Sequence, residues 1–156
     1  RGSCEHLYQV RRTMADGLWN GRWEITDDIL GEGGYGAVYV ALDHFCQPPS
    51  RAAVKKLRLD RLRPDQVARE VDAYRRVQSA DTACEFVLRL LDDAEDEGCA
   101  RYLFFPLCEG GDVLDYSVSC GGLSEDHARP LFEQMVRAVA HLHALGVAHR
   151  DIKIEN

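Results

Sequence analysis

The chain lacks any C-x-x-C pair, although its 156 residues include six cysteines. Without that spacing a zinc site has no ordinary ligand set. Cys4, Cys46, Cys84, Cys99, Cys108 and Cys120 are scattered instead. An even number permits disulfides, but this spacing reads as incidental thiols in a reducing, cytoplasmic compartment. No run approaches the ~20 consecutive apolar residues that a membrane-crossing helix needs, and no signal-peptide pattern is present. Basic charge is not in excess either. The net charge is −7, which weighs against a general nucleic-acid binder. Internal repeats and low-complexity tracts are absent. What is there is a globular composition, 46 % hydrophobic and 29 % charged, in a length that suits one domain with a real core. The chain begins at Arg1 rather than Met and stops abruptly at Asn156, so it is expected to be a piece of a longer protein.

Residues 1–22 break up a few apolar positions with Arg11, Arg12, Asp16, Gly17, Asn20 and Gly21. They read as an extension or linker that docks through Trp19. From Trp23 the pattern tightens. Trp23, Ile25, Ile29 and Leu30 lead into Gly31-Glu32-Gly33-Gly34-Tyr35-Gly36, and Val38, Val40 and Leu42 then alternate with Ala37, Tyr39 and Ala41. This is strand, glycine turn, strand. Ala52 to Leu57 reads as a third strand. Pro64 suits the first turn of a helix, whose apolar face carries Val67, Val71, Tyr74 and Gln78. Glu70 lies at the edge of that stripe, where a carboxylate wants a cationic partner. Phe86 to Leu91 and Tyr102 to Leu107 are strand-like runs; the acidic stretch between them, Asp92 to Glu97, reads as a solvated turn before Gly98. The expected architecture is α+β: about five antiparallel strands with one helix on them.

After Gly110-Gly111 the chain turns helical. Asp112 can cap a short helix through Tyr116, and Ser124 can cap a longer one. In the longer helix Ala128, Leu131, Phe132, Met135, Val139 and Leu142 form a stripe of period 3.6, which Gly146 ends. Pro130 sits about six residues in, so a kink or a later start is expected there. His127, His141 and His143 lie on this helix. His141 and His143, two residues apart, face different sides and read as surface or half-buried residues rather than metal ligands.

Gly31, Gly33 and Gly36 are followed by a strand and not a helix, unlike a dinucleotide-binding turn, and no G-K-[ST] follows to make a phosphate loop of the Walker type. A plain tight hairpin remains open, as does a flexible hairpin that folds over phosphates. Lys55 and Lys56 are adjacent on a strand and point to opposite faces, so one of them meets Glu70. Such a pair is either a structural salt bridge or a means of holding an ammonium for a polyphosphate. The chain's last eight residues read His149-Arg150-Asp151-Ile152-Lys153-Ile154-Glu155-Asn156. They set a carboxylate, a lysine and an amide in one loop.

Over about residues 23–156 these elements together resemble the eukaryotic protein kinase family. Gly31, Gly33, Gly36 and Val38 match its glycine-rich G-x-G-x-x-G-x-V; Ala53-Val54-Lys55 matches the strand usually written V-A-I-K; and His149 to Asn156 matches H-R-D-x-x-x-x-N. The resemblance implies a two-lobe fold, with an extension over 1–22, a complete N-lobe over 23–107, and the hinge and partial C-lobe over 108–156. It implies Mg²⁺ and ATP as cofactors and phosphoryl transfer to a Ser or Thr hydroxyl of a protein, with no nucleic-acid or membrane partner. In this family pattern Lys55 contacts ATP phosphates and pairs with Glu70, Asp151 orients or accepts the hydroxyl proton, Lys153 neutralises charge, and Asn156 binds Mg²⁺. Leu30, Gly31, Gly33, Gly34, Gly36, Val38, Ala53, Phe105 as gatekeeper, Cys108 in the hinge and Asp112 near the ribose would line the nucleotide. His149 would pack in a core and Arg150 would meet an activation-loop phosphate. Lys153, two residues after Asp151, is similar to the serine/threonine type, and the run Ile152 to Asn156 to the calmodulin-dependent and related branch. The D-F-G aspartate, the A-P-E motif and the supporting helices do not occur in this sequence. The expectation is therefore a piece inactive alone, with apolar surface left uncovered on its last helix. The alternative is a pseudokinase or truncated regulatory module that binds partners without catalysis.

Overall fold

The structure, a computed structural model, describes residues 17–34, 36–96 and 98–155. Their elements in chain order are β1 (Trp23–Gly33), β2 (Gly36–Asp43), β3 (Ser50–Arg58), α1 (Pro64–Gln78), β4 (Asp92–Asp96), β5 (Ala100–Pro106), α2 (Val113–Ser119) and α3 (Glu125–Ala144). The strands form one sheet in the order β1-β2-β3-β5-β4, and every neighbouring pair is antiparallel. Two compact units result. Among the described residues, one holds 17–71 together with Leu90–Leu107; the other holds Asp72–Arg89 and 108–155.

Register sorts the first unit's side chains onto two faces, because strand residues alternate. Val38 pairs with Lys55 and Val40 with Ala53; Lys55 in turn pairs with Leu103 and Ala53 with Phe105. These residues share one face, here the Lys55 face. Val40, Leu57, Leu103 and Phe105 on it are buried. The opposite face carries the core cluster of Trp23, Ala41, Ala52, Val54, Ala94, Ala100, Tyr102 and Phe104. Trp23 stacks on Phe104 with ring centroids 4.6 Å apart, and Trp19 lies 4.5 Å from Tyr102. The expected docking through Trp19 is thus present, while residues 1–16 lie outside the described residues. Both indoles sit on one tight turn, closed by Trp19 and Trp23 backbone hydrogen bonds of 2.8 and 2.9 Å. The Trp23 Nε1–H donates to Asp92 at 2.8 Å, which leaves this wholly buried indole no unpaired donor. Arg22 clamps the same turn to the end of β2 through two hydrogen bonds to Asp43, 2.9 and 2.6 Å long.

The edge strand corrects one expectation. The apolar run Phe86–Leu91 lies outside every strand, and the acidic residues Asp92–Asp96 form β4. Asp92 accepts from Trp23 and Asn20, while Asp93 and Glu95 both pair with Arg101. Ala94 provides the apolar contact beneath Tyr102. With their charges partnered, Asp92, Asp93 and Glu95 fit a strand that composition alone assigns to solvent.

Helix α1 starts at Pro64 as expected. Gln66 reaches back to accept the Arg63 backbone N–H at 3.0 Å, one half of a capping box. In the second unit, Asp112 caps α2 by accepting the Asp115 N–H at 2.7 Å. Ser124 takes the N-cap position of α3, but its hydroxyl bonds the His127 ring at 3.1 Å rather than a backbone N–H. Helix α3 runs through Pro130, where one intrahelical bond to residue 126 is forfeited. It ends with Gly146 at φ 71°, where the Gly146 and Val147 N–H groups return to His143 and Leu142. That pairing is a Schellman cap, which needs a left-handed residue there. Among the described residues of α2 and α3 none is buried; Phe132 is 62 % exposed. Of the apolar stripe anticipated for α3, Phe132 and Met135 are exposed, while Ala128, Leu131, Val139 and Leu142 are half-buried.

Candidate nucleotide and phosphoryl-transfer site

The hairpin between β1 and β2 closes with Gly33 opposite Gly36. Its glycines are not equivalent. A Cβ at Gly31, Gly33 or Gly34 would meet nothing within 4 Å, whereas at Gly36 it would sit 1.9 Å from the Lys56 carbonyl oxygen. Gly36 also has φ 154°, a region that side chains rarely enter. Gly36 thus lets β2 run close to β3. The other three leave open space beside the backbone, which a ligand can approach closely.

From β3, Lys55 points to one face and Lys56 to the other. Lys55 Nζ lies 2.6 Å from Glu70 Oε1 of α1, and Lys56 lies over the Tyr102 ring, 5.7 Å from its centroid. Alternation along the strand decides which lysine meets the helix. The Lys55 and Glu70 side chains are 34 % and 28 % exposed. A pair this wet contributes about 0–1 kcal/mol to stability, so its effect is to place the ammonium. Val38 and Ala53, both half-buried, share the face with Lys55, and the buried Phe105 stands in register with Ala53. Leu30, 47 % exposed, precedes the glycines on β1.

In the second unit, Cys108 is exposed and Asp112 spends one carboxylate oxygen on the α2 cap. The loop after α3 is held to α2 by the Leu114 N–H, which donates to the Ile154 carbonyl at 3.0 Å. Lys153 Nζ stands 3.5 Å from Asp151 Oδ2. Arg150 has φ 67°, an uncommon conformation for a side-chain-bearing residue, and it turns the chain just before Asp151. The Asp151 N–H donates to His149 Nδ1 at 3.3 Å. His149 is exposed, which corrects its expected place in a core: the ring steadies the loop backbone instead. Asn156 lies outside the described residues.

The arrangement agrees with what comparison finds. The family model for the protein kinase domain matches residues 25–156. The chain belongs to the protein kinase family. Among relatives, CBL-interacting protein kinase 22 of Oryza sativa subsp. japonica is 37 % identical, over 87 % of this chain and 33 % of its own length. Calcium-dependent protein kinase 3 of Plasmodium yoelii yoelii is 30 % identical, over 86 % of this chain and 24 % of its own. Testis-specific serine/threonine-protein kinase 3 of Homo sapiens is 46 % identical over a shorter stretch, 45 % of this chain and 25 % of its own. The chain thus spans a third or less of the length of these relatives.

As a kinase domain, the chain carries residues that fit ATP on two independent grounds. The glycine hairpin has open backbone where a Cβ would meet nothing, and a lysine is already oriented by a carboxylate beside Val38 and Ala53. Two features escaped the sequence: the distinct task of Gly36, and the ion network of Arg101 with Asp93 and Glu95. Only the second left a trace, a charged residue alternating with the apolar Leu103 and Phe105.

Proposed function

We propose that the protein carrying this segment is a serine/threonine kinase that transfers the γ-phosphoryl group of Mg-ATP to a protein hydroxyl. The observation that carries the reading is the Lys55–Glu70 contact of 2.6 Å on the face shared with Val38 and Ala53. Within the family pattern, Lys55 binds the α- and β-phosphates while Glu70 fixes its position. The backbone of Gly31, Gly33 and Gly34 lies over the phosphates, and Val38, Ala53, Leu30 and Phe105 border the adenine. Bound ATP supplies the transferable phosphoryl group. Asp151 orients the acceptor hydroxyl and takes its proton, and Lys153, 3.5 Å from it, offsets negative charge nearby. Such positioning and charge stabilisation is most of what phosphoryl transfer asks of a protein. The spacing Asp151-x-Lys153 supports the serine/threonine type. The name of the Plasmodium relative, calcium-dependent protein kinase 3, supports placement near the calmodulin-dependent and related branch. Scattered thiols support a reducing, cytoplasmic setting; a tagged copy found in a secretory compartment would argue against it.

The test compares the intact protein with its Asp151→Asn variant on peptide libraries bearing Ser, Thr or Tyr and radiolabelled ATP. Transfer to Ser or Thr, reduced at least 100-fold by the substitution, is expected. ATP binding without any transfer would identify a pseudokinase, and transfer confined to Tyr would refute the serine/threonine assignment.

A further inference from the structure

Two rows of side chains cross β3, β5 and β4 on the Lys55 face. One runs Lys55, Leu103, Asp93; the next runs Leu57, Arg101, Glu95. Neighbouring strands lie about 4.8 Å apart, so the Asp93 backbone is roughly 10 Å from that of Lys55. Only the wholly buried Leu103 stands between them in that row. With the neighbouring Glu70, these two rows set three carboxylates, Glu70, Asp93 and Glu95, against two cations, Lys55 and Arg101. Arg101 binds the two carboxylates of β4 on this face: one terminal nitrogen contacts Asp93, and the other lies 3.2 Å from Glu95. The Arg101 and Asp93 side chains are only 16 % and 13 % exposed. Arg101 Nε is buried without a hydrogen-bond partner, and the guanidinium donates its described hydrogen bonds to these two acids alone.

We infer that Arg101 is a positioning residue for nucleotide binding: by neutralising Asp93 and Glu95 it leaves Lys55 to Glu70 and keeps unpaired negative charge away from the phosphates. Without Arg101, a poorly solvated Asp93 carboxylate would draw Lys55 across Leu103 and would repel a polyphosphate held by that lysine. Charge this little exposed is weakly screened by salt. At about 10 Å and an effective dielectric of about 20, one unit charge alters binding of another by roughly 5- to 20-fold once partial screening is allowed. The inference rests on the ATP reading of Lys55.

The experiment measures ATP and adenosine affinity, with kcat, on the intact protein in wild-type form and as Arg101→Met, Asp93→Asn/Glu95→Gln/Arg101→Met, and Arg101→Lys. Expected for Arg101→Met is a 5- to 20-fold loss of ATP affinity, unchanged adenosine affinity and a kcat within about twofold. The triple variant recovers ATP affinity. Equal losses for ATP and adenosine would mean a merely structural network and would overturn the inference, as would full ATP affinity in folded Arg101→Met or no recovery in the triple variant. Should Arg101→Met fail to fold, Arg101→Lys decides: selective ATP weakening that Glu95→Gln relieves supports the role, and wild-type affinity refutes it. Wild-type protein that binds adenosine but no ATP would overturn the phosphate reading and this inference together.

Discussion

Replacing Gly36 by Ala is the sharpest test of how the glycine hairpin is built. The new Cβ would sit 1.9 Å from the Lys56 carbonyl oxygen and 3.0 Å from its carbon. Ordinary contact needs about 3.4 Å or more, so β2 and β3 must separate by roughly 1.5 Å at the Gly36–Leu57 pair. A shift of that size breaks one or two ladder hydrogen bonds, each about 1 kcal/mol net. Holding a side-chain-bearing residue at φ 154° adds about 1–3 kcal/mol. The total is about 2–5 kcal/mol. Gly33→Ala is the control. Its Cβ would meet nothing within 4 Å and its φ is not in the glycine-only region, so a change within about 0.5 kcal/mol is expected. Urea denaturation of both variants gives the comparison. Amide exchange should show protection lost at Lys56 and Leu57 in the first variant alone. If Gly36→Ala is as stable as Gly33→Ala, the close approach of the strands is not what requires glycine there, and the reasoning fails.

Two further outcomes follow from the geometry. Lys55→Met should weaken ATP binding at least tenfold while shifting unfolding free energy by no more than about 1 kcal/mol, because the pair it breaks is a third exposed; calorimetry and nucleotide titration together check this, and a large stability loss would make the pair structural. Asp43, 6 % exposed, has its pKa held below the usual carboxylate range, chiefly by the hydrogen bonds from Arg22 and against its burial. A lowered folded pKa means stability that is full above the unfolded value near 3.9 and is lost as pH falls through the folded one. Asp43→Asn should therefore cost about 1–3 kcal/mol at pH 7, and the gap from wild type should narrow below pH 4; a gap independent of pH would remove the charge from the explanation.

Legibility in the sequence followed periodicity. β1 to β3, α1 and β5 each repeat apolar residues at the period of their structure, and alternation alone placed Lys55 and Lys56 on opposite faces. β4 has no such signal. Its carboxylates find their partners, Trp23, Asn20 and Arg101, between 6 and 72 positions away, and pairing of that kind leaves no local mark. The same holds at Gly36, whose need for glycine comes from the Lys56 carbonyl on another strand. His149 misled for a different reason: a histidine in a motif says nothing of its exposure, and its ring serves a backbone N–H two residues on. Ser124 shows the limit of capping rules, since a histidine three residues later can claim the hydroxyl.

The turn at Trp19–Trp23 carries a consequence for where this domain begins. The family likeness starts at Ile25, yet the indole most deeply enclosed in the sheet's core is two residues upstream, and a second indole four residues earlier covers Tyr102. A fragment cut where the family model's match begins would keep every residue assigned to nucleotide chemistry and lose the roof over Phe104 and Tyr102. The core of the lobe is closed by residues upstream of that match.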